Sequence, residues 1–441
     1  MAATDVGPLT HRRVLNIAIP ILLSNITVPL LGLVDTGVIG QLGRAEPIGA
    51  VGIGAVILTS IYWIFGFLRM GTSGLVAQSH GAGDEAQVGA HLLRALTIAG
   101  VAGIAMIALQ VPLFWGAFRL APASAEVESL ARSYLEIRIW GAPATIALYA
   151  LTGWLIAVER TGAVLALQVL QNGINVALDF WFVLGLGYGI DGVAWATLIS
   201  EWGGVVLGLF LARHVLRAAW AAARNMTTLF ARNKLNRLLQ VNGDIMIRSI
   251  LLQASLTSFL FLGAVQGDVT LAANQVLVQF LSITAFALDG FAFAAGSIVG
   301  QAVGARRPDR LRRASVLTSQ WGVGAALVLG VVFWGAGGII IDLLTTAPEV
   351  REEARRYLLW MAFAPLAGIA GWMFDGIFIG ATMTRDMLIA MVQSVILYVV
   401  AVITLPPLMG NHGLWAALMI FNAVRGITLA LRYPRAEAAA A

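Results

Sequence analysis

Four carboxyl groups set inside long apolar stretches are the residues of this chain best placed to do chemistry. Asp35 lies in Leu31-Gly32-Leu33-Val34-Asp35-Thr36-Gly37, and Asp179 closes Asn175-Val176-Ala177-Leu178-Asp179. Asp289 and Asp375 each precede a glycine, Gly290 and Gly376. An acidic side chain at the centre of a bilayer costs about 2.5–3.5 kcal/mol, so it faces the protein interior or water and marks a functional position. A carboxyl removed from water resists ionising. It can therefore take up a proton from an acidic compartment and lose it on re-exposure, or when a cation arrives. That chemistry needs neither nucleotide nor metal cofactor. The same carboxylates with Asn and Thr oxygens could instead coordinate Na⁺, and the residues alone leave both ions open.

Spacing groups these acids with other polar residues. Asn175 and Asp179 are four apart, so both side chains project from one helical face. Gln168, Gln171 and Asn172 lie one to three turns earlier on the same stretch, and Thr197 in the following one could complete the cluster. The alternative for this amide stripe is hydrogen bonding that only ties neighbouring helices together. Asp35 follows Pro20 and Pro29, prolines that leave carbonyls unbonded and let a helix kink. Its alternative role is to cap the next connection. Arg69, Glu201 and Arg248 are also embedded, and Asp289 and Asp375 could pair with an embedded arginine rather than bind a coupling ion.

Composition defines the medium that holds these residues. Hydrophobic residues make up 59% of 441 and charged residues 12%, against roughly 25% charged in soluble proteins. Twelve apolar segments follow one another, at 14–39, 48–78, 88–118, 130–158, 163–187, 191–216, 239–265, 270–302, 314–343, 355–381, 386–409 and 413–431. Most reach the ~20 residues that cross a hydrocarbon core, and without period-2 alternation they predict helices rather than barrel strands. The first segment contains Asp35 and has no small-residue cleavage site behind it, so it is expected to be retained. The absence of cysteine excludes disulfides and thiolate metal sites.

Lys and Arg are unequal between alternate connections. Arg12-Arg13, six basic residues in 213–237, five arginines in 306–313, Arg385 and the tail Arg432 and Arg435 fall on one side. The positive-inside rule places that side, with both termini, in the cytoplasm of a multi-pass protein of the cytoplasmic (inner) membrane. The stretch 217–238 reads as a basic linker between an N-lobe, 1–216, and a C-lobe, 239–441. It has few aromatic residues and lies beside the bilayer, so membrane lipids rather than nucleic acid are its expected partners. Asn225-Met226-Thr227 fits a glycosylation pattern but falls on the cytoplasmic side.

The plan is duplicated. Val76-Ala77-Gln78-x-x-Gly81-Ala82 recurs as Val299-Gly300-Gln301-x-x-Gly304-Ala305, 223 residues later. Tyr134-Leu135 recurs as Tyr357-Leu358, Ala142-Pro143 as Ala364-Pro365, and Gly192-Val193-Ala194-Trp195-Ala196 is echoed by Gly413-Leu414-Trp415-Ala416-Ala417. A period this long is a duplicated half. Six spans per half return the chain to its starting side, so the fold expected is all-α and integral to the membrane. It has twelve helices in two six-helix lobes, related by a pseudo-two-fold axis along the membrane normal. The acids are not duplicated: at the same offset Asp35 and Asp179 meet Ser258 and Val402, while Asp289 and Asp375 meet Gly66 and Thr152.

Motifs for other functions are missing. There is no Gly-x-x-x-x-Gly-Lys-Ser/Thr phosphate loop and no His-Glu-x-x-His, which argues against ATP-driven and zinc-dependent chemistry. The five histidines fall at or near predicted connections, and the 48 glycines are read as close helix packing. Trp115 and Trp360 are expected at membrane interfaces.

Residues along almost the whole chain now resemble the multidrug and toxic compound extrusion family, and its DinF-like branch more closely. They are Leu33-Val34-Asp35-Thr36-Gly37 and Asn175 to Asp179, Phe67-Leu68-Arg69-Met70-Gly71-Thr72-Ser73-Gly74-Leu75 with Ala77-Gln78, Asn242-Gly243-Asp244-Ile245-Met246, Ala287-Leu288-Asp289-Gly290-Phe291-Ala292, Asp375 to Thr382, and Gly410-Asn411-His412-x-Leu414-Trp415. The resemblance implies a secondary antiporter, not an enzyme, that exports small organic compounds, often cationic or amphipathic, against inward H⁺ or Na⁺. It implies alternating access between two lobes, no cofactor, and function as a monomer. The coupling-ion cluster of the family carries over to Asp35, Asn175, Asp179 and Thr197. NorM-like relatives place a cation site around a span 7 Glu and a span 10 Asp; Asp375 matches the second, but span 7 reads Leu251-Leu252-Gln253-Ala254-Ser255. That departure favours H⁺ through the N-lobe and leaves Asp289 and Asp375 as secondary candidates. Two alternatives fit less well. A lipid-linked precursor flippase calls for a basic cavity, and a membrane polyprenyl transferase calls for an Asp-rich Mg²⁺ motif.

Overall fold

In the computed structural model, residues 8–41, 43–120, 124–222 and 231–441 are described. The part of the basic linker holding Arg224 and Asn225 to Thr227 lies outside them. Every regular element among the described residues is helical. In chain order these are α1 (His11–Gly40), α2 (Ala45–Ile64), α3 (Phe67–Gly81), α4 (Glu85–Ala108), α5 (Gln110–Leu120), α6 (Ala125–Arg138), α7 (Ala142–Ala157), α8 (Thr161–Asp179) and α9 (Gly189–Ala222). There follow α10 (Arg232–Ala264), α11 (Asp268–Gly304), α12 (Pro308–Leu344), α13 (Pro348–Arg356), α14 (Leu358–Gly380), α15 (Thr384–Thr404), α16 (Pro406–Met409), α17 (Asn411–Ala430) and α18 (Tyr433–Ala438). They make twelve spans long and apolar enough to cross a membrane, the number the apolar segments predict.

Prolines set most departures from the expected boundaries. The segment 88–118 is not one helix. Pro112 has no N–H and its ring collides with the carbonyl four residues back, which is Ala108, where α4 stops. Pro143 acts in the same way on Ile139, and the chain passes from α6 to α7 through a 3₁₀ turn at Ile139–Gly141. Pro20 and Pro29 leave α1 uninterrupted over 30 residues. Asp35 therefore sits more than a turn inside the helix and does not cap the next connection.

The chain forms two compact units: a first of Leu23–Val76 with Asp84–Arg237, and a second of Met1–Leu22, Ala77–Gly83 and Leu238–Ala441. In the first, α7 is the buried centre, with Leu151, Trp154, Leu155 and Ile156 almost fully covered. There α2 lies along α6, with the hydroxyl of Tyr62 donating to the Arg138 carbonyl at 3.4 Å. Val101, Val206 and Phe210 are exposed on its outside, as a lipid-facing surface requires.

In the second unit Phe259, Phe280, Phe333, Trp415 and Phe421 form the core. Asn274 and Asn411 exchange amide hydrogen bonds of 2.9 Å each way, and the Trp415 indole donates to Asn274 Oδ1 at 2.9 Å. The duplicated motif closes on itself here. A Cβ on Gly81 would strike the carbonyl of Gln301, and one on Gly304 would strike the carbonyl of Gln78. Gln78 Nε2 donates to the Gly380 carbonyl at 2.9 Å and to Thr382 Oγ1 at 3.1 Å, while Arg13 Nη2 donates to Gln301 Oε1 at 3.0 Å.

Because backbone, not a movable side chain, blocks both glycines, Gly81→Ala and Gly304→Ala are each expected to cost at least the roughly 1–3 kcal/mol of an overpacked core. Thermal unfolding in detergent should show both losses. Gly100→Ala, where nothing lies within 4 Å of the new methyl, should leave the midpoint in place.

Candidate functional site

Three helices of the first unit deliver the acid cluster. α1 carries Asp35 in its last third, α8 carries Asn175 and Asp179 one turn apart at its end, and α9 carries Thr197 and Glu201 one turn apart. Asn175 and Asp179 are fully buried and Thr197 nearly so. Immediately after Asp179 the chain widens into a π-helical turn, Phe180–Gly185, a geometry found mostly at functional sites.

Asn175 sits at the middle of the group. With its amide nitrogen toward the acids, it donates to Asp35 Oδ1 and Asp179 Oδ2 at 3.1 Å each, and its oxygen accepts from Thr197 Oγ1 at 3.1 Å. The Thr197 hydroxyl also lies 2.9 Å from the Val193 carbonyl. An amide nitrogen facing the acids suits carboxylates, which only accept; turning the amide over would instead present its oxygen to carboxyls that carry a proton to donate. Asp35 and Asp179 thus flank one amide nitrogen, and two carboxyls so placed hold a proton or a cation between them more readily than two negative charges. Asp179 Oδ1 is buried with no protein partner.

The rest of the amide stripe has a different role. Gln168 donates to Asn172 Oδ1 at 2.9 Å, and Asn172 donates to the Thr27 carbonyl at 3.3 Å. Those two residues tie α8 to α1 through interhelical hydrogen bonds.

Sequence reasoning missed Arg138. It forms a two-pronged pair with Glu201, Nη1 to Oε2 at 2.8 Å and Nη2 to Oε1 at 3.0 Å, with both residues buried. Glu201 is one turn past Thr197 on α9, so the ion pair adjoins the acid cluster. The available signal was an arginine within the apolar segment 130–158.

The secondary candidates lie in the second unit in different company. Asp375 Oδ2 accepts from Arg248 Nη2 and lies 3.9 Å from Arg425 Nε. Arg425, another residue not singled out in the sequence, stands over the Trp372 ring at 5.5 Å and lies within electrostatic reach of Asp289. Asp375 is thus held among guanidinium groups, whereas Asp35 and Asp179 share the Asn175 amide. No group of three or more His, Cys, Asp or Glu positioned to hold a metal ion occurs among the described residues.

Comparison with known proteins gives a consistent assignment. The profile of a family described as MatE matches residues 20–181 and again 245–404, one match for each repeat. The DNA damage-inducible protein F of Escherichia coli (strain K12) is 39% identical over 421 residues, covering 95% of this chain and 91% of that one. The probable multidrug resistance protein NorM of Pseudomonas syringae pv. tomato is 26% identical, covering 82% and 79%. A solved structure of a MATE protein in a bent conformation superposes with a TM-score of 0.85 at 20% identity, covering 97% of this chain and 96% of that one.

Removing the shared acceptor by Asp375→Asn leaves two buried arginines without it, a change expected to destabilise by about 3–5 kcal/mol. The yield of monodisperse protein in size-exclusion chromatography should fall sharply. Asp375→Asn combined with Arg248→Met should recover part of it.

Proposed function

The chain belongs to the MatE family, and we propose that it exchanges inward H⁺ for outward-moving organic compounds, with Asp35, Asn175, Asp179 and Thr197 as its coupling site. It is a multi-pass membrane protein and an efflux transporter of the multidrug and toxic compound extrusion class, not an enzyme. Placement in the inner membrane with both termini in the cytoplasm belongs to the proposal and is supported by the distribution of Lys and Arg. So does the assignment of 1–216 and 239–441 as the two moving halves, joined by the linker 217–238.

The observation that carries the choice of ion is the company of the two acids. Asp35 and Asp179 both meet the Asn175 amide, with no guanidinium hydrogen-bonded to either among the described residues. A proton taken up there removes negative charge, lets Asn175 turn its oxygen to the acid, and frees its nitrogen for Thr197. Since Asp35 rides on α1, whose Pro20 and Pro29 each leave a carbonyl unbonded by the helix, a change of charge can be passed to the shape of that helix. Bending α1 on protonation would then displace substrate. In the second unit, span 7 reads Leu251-Leu252-Gln253-Ala254-Ser255, with no Glu where a NorM-type site has one, and Asp375 is engaged by arginine. This arrangement supports H⁺ over a NorM-type Na⁺ site.

The test is dye transport in inverted vesicles energised by a proton gradient. Wild-type transport is expected to collapse with a protonophore and to survive replacement of Na⁺ by K⁺. Asp179→Asn, which cannot exchange a proton, is expected to lower proton-driven transport at least about a hundredfold, the scale on which a positioned proton-transfer group acts. Undiminished transport by that variant would remove Asp179 from the mechanism, and strict dependence on Na⁺ would overturn H⁺ as the coupling ion.

A further inference from the structure

In the second unit α15 and α17 lie side by side with a groove of about 530 Å³ between their outer faces. Gln393 is level with Arg432 and Tyr398 with Phe421, so the two spans run antiparallel. On the inner side Tyr398 and Phe421 close the gap edge to face at 5.6 Å, and both are buried. On the outer side Ile396, Leu397 and Leu431 line the groove and are 57%, 45% and 78% exposed. In a membrane span such exposure means contact with lipid, so the groove opens to acyl chains.

One end of the groove is charged. Arg432 is clamped there: Nη1 donates to Gln393 Oε1 at 3.0 Å and to the Thr428 carbonyl at 3.1 Å, and Nε lies 3.3 Å from Asp386 Oδ1. Arg435 Nη1 donates to the same carboxylate oxygen at 2.9 Å. Two guanidinium groups therefore share one acid. The nearby acids do not correct the balance, since Glu437 pairs with Arg312 at 3.8 Å and Asp244 with Arg385 at 3.6 Å. The Arg435 side chain is 67% exposed, and a guanidinium carries five N–H donors, so most of its donors remain open.

The charged and apolar ends are spaced as the bilayer requires. Asp386 is in the first turn of α15, and Arg432 and Arg435 follow the end of α17, where a span meets the headgroups. Ile396 lies ten residues further along α15, about 15 Å deeper at 1.5 Å per residue.

We propose that this groove binds an anionic phospholipid, its phosphate on Arg435 and Arg432 and one acyl chain laid along Ile396 and Leu397. A phosphate oxygen answers a guanidinium with paired, charge-assisted hydrogen bonds, and the clamped Arg432 is already ordered for them. Basic pockets between spans take anionic headgroups in this way. A zwitterionic lipid brings its own cation to the same guanidinium groups, and that repulsion offsets the gain. The site makes no use of the coupling ion.

Native mass spectrometry of the purified chain measures the affinity of the first bound lipid. Phosphatidylglycerol is expected to bind at least about tenfold more tightly than phosphatidylcholine of the same acyl chains, the scale of one charged hydrogen bond. Glycerol 3-phosphate, the phosphate without chains, is expected not to bind at the same concentrations. Arg435→Gln should bring phosphatidylglycerol down to the affinity of phosphatidylcholine. Arg307→Gln, which alters another mostly exposed, paired arginine outside the groove, should leave it unchanged. Should Arg435→Gln fail to fold, Ile396→Trp, which fills the apolar end, is expected to give the same loss. Equal affinity for the two lipids, or an unmoved affinity in Arg435→Gln, overturns the headgroup site. Glycerol 3-phosphate binding as well as the lipid overturns the acyl half, and an equal loss in Arg307→Gln reduces the effect to general charge attraction and overturns the groove.

Discussion

Charge is expensive in hydrocarbon unless it is answered nearby, and the internal organisation of this chain follows from how each embedded charge is answered. Arg138 and Glu201 answer each other with two parallel hydrogen bonds. Arg248 and Arg425 share Asp375. At the span ends Asp342 meets Arg351 and Arg355, and Asp386 meets Arg432 and Arg435. Such pairs are fixed, because removing either member strands the other. Asp35 and Asp179 are arranged differently: both meet the Asn175 amide, which Thr197 engages from its other side. A change of protonation there leaves no orphaned guanidinium, a freedom that the proposed coupling role needs.

Backbone detail serves this arrangement. The α8 helix presents Asn175 and Asp179 on one face and changes to a π-turn directly after the acid. The 3₁₀ turn forced by Pro143 lies between Arg138 and α7, beside the place where Arg138 meets Glu201. A Cβ on Gly141 in that turn would strike Glu201 Oε2. The turn therefore gives room for a buried ion pair.

Much of this was legible in the residues themselves. Apolar length counts the spans, because the width of a bilayer sets a length that few soluble segments reach. A four-residue spacing placed Asn175 with Asp179, and the structure brings Asp35 and Thr197 to them. What stayed hidden depends on how each helix is rotated about its own axis. Nothing in the spacing of Arg138 or Arg425 says which neighbour it faces. The single segment expected at 88–118 misread Pro112, whose effect falls four residues before its own position.

The contact between the repeated motifs has a consequence for the origin of the fold. Gly81 lies on Gln301 while Gly304 lies on Gln78, so each copy presents the same two residues to the other in exchanged roles. That reciprocity is the mark of an isologous interface, in which one surface recognises itself across a dyad. A chain of half this length carrying one such motif would present the same self-matching contact to a second copy of itself.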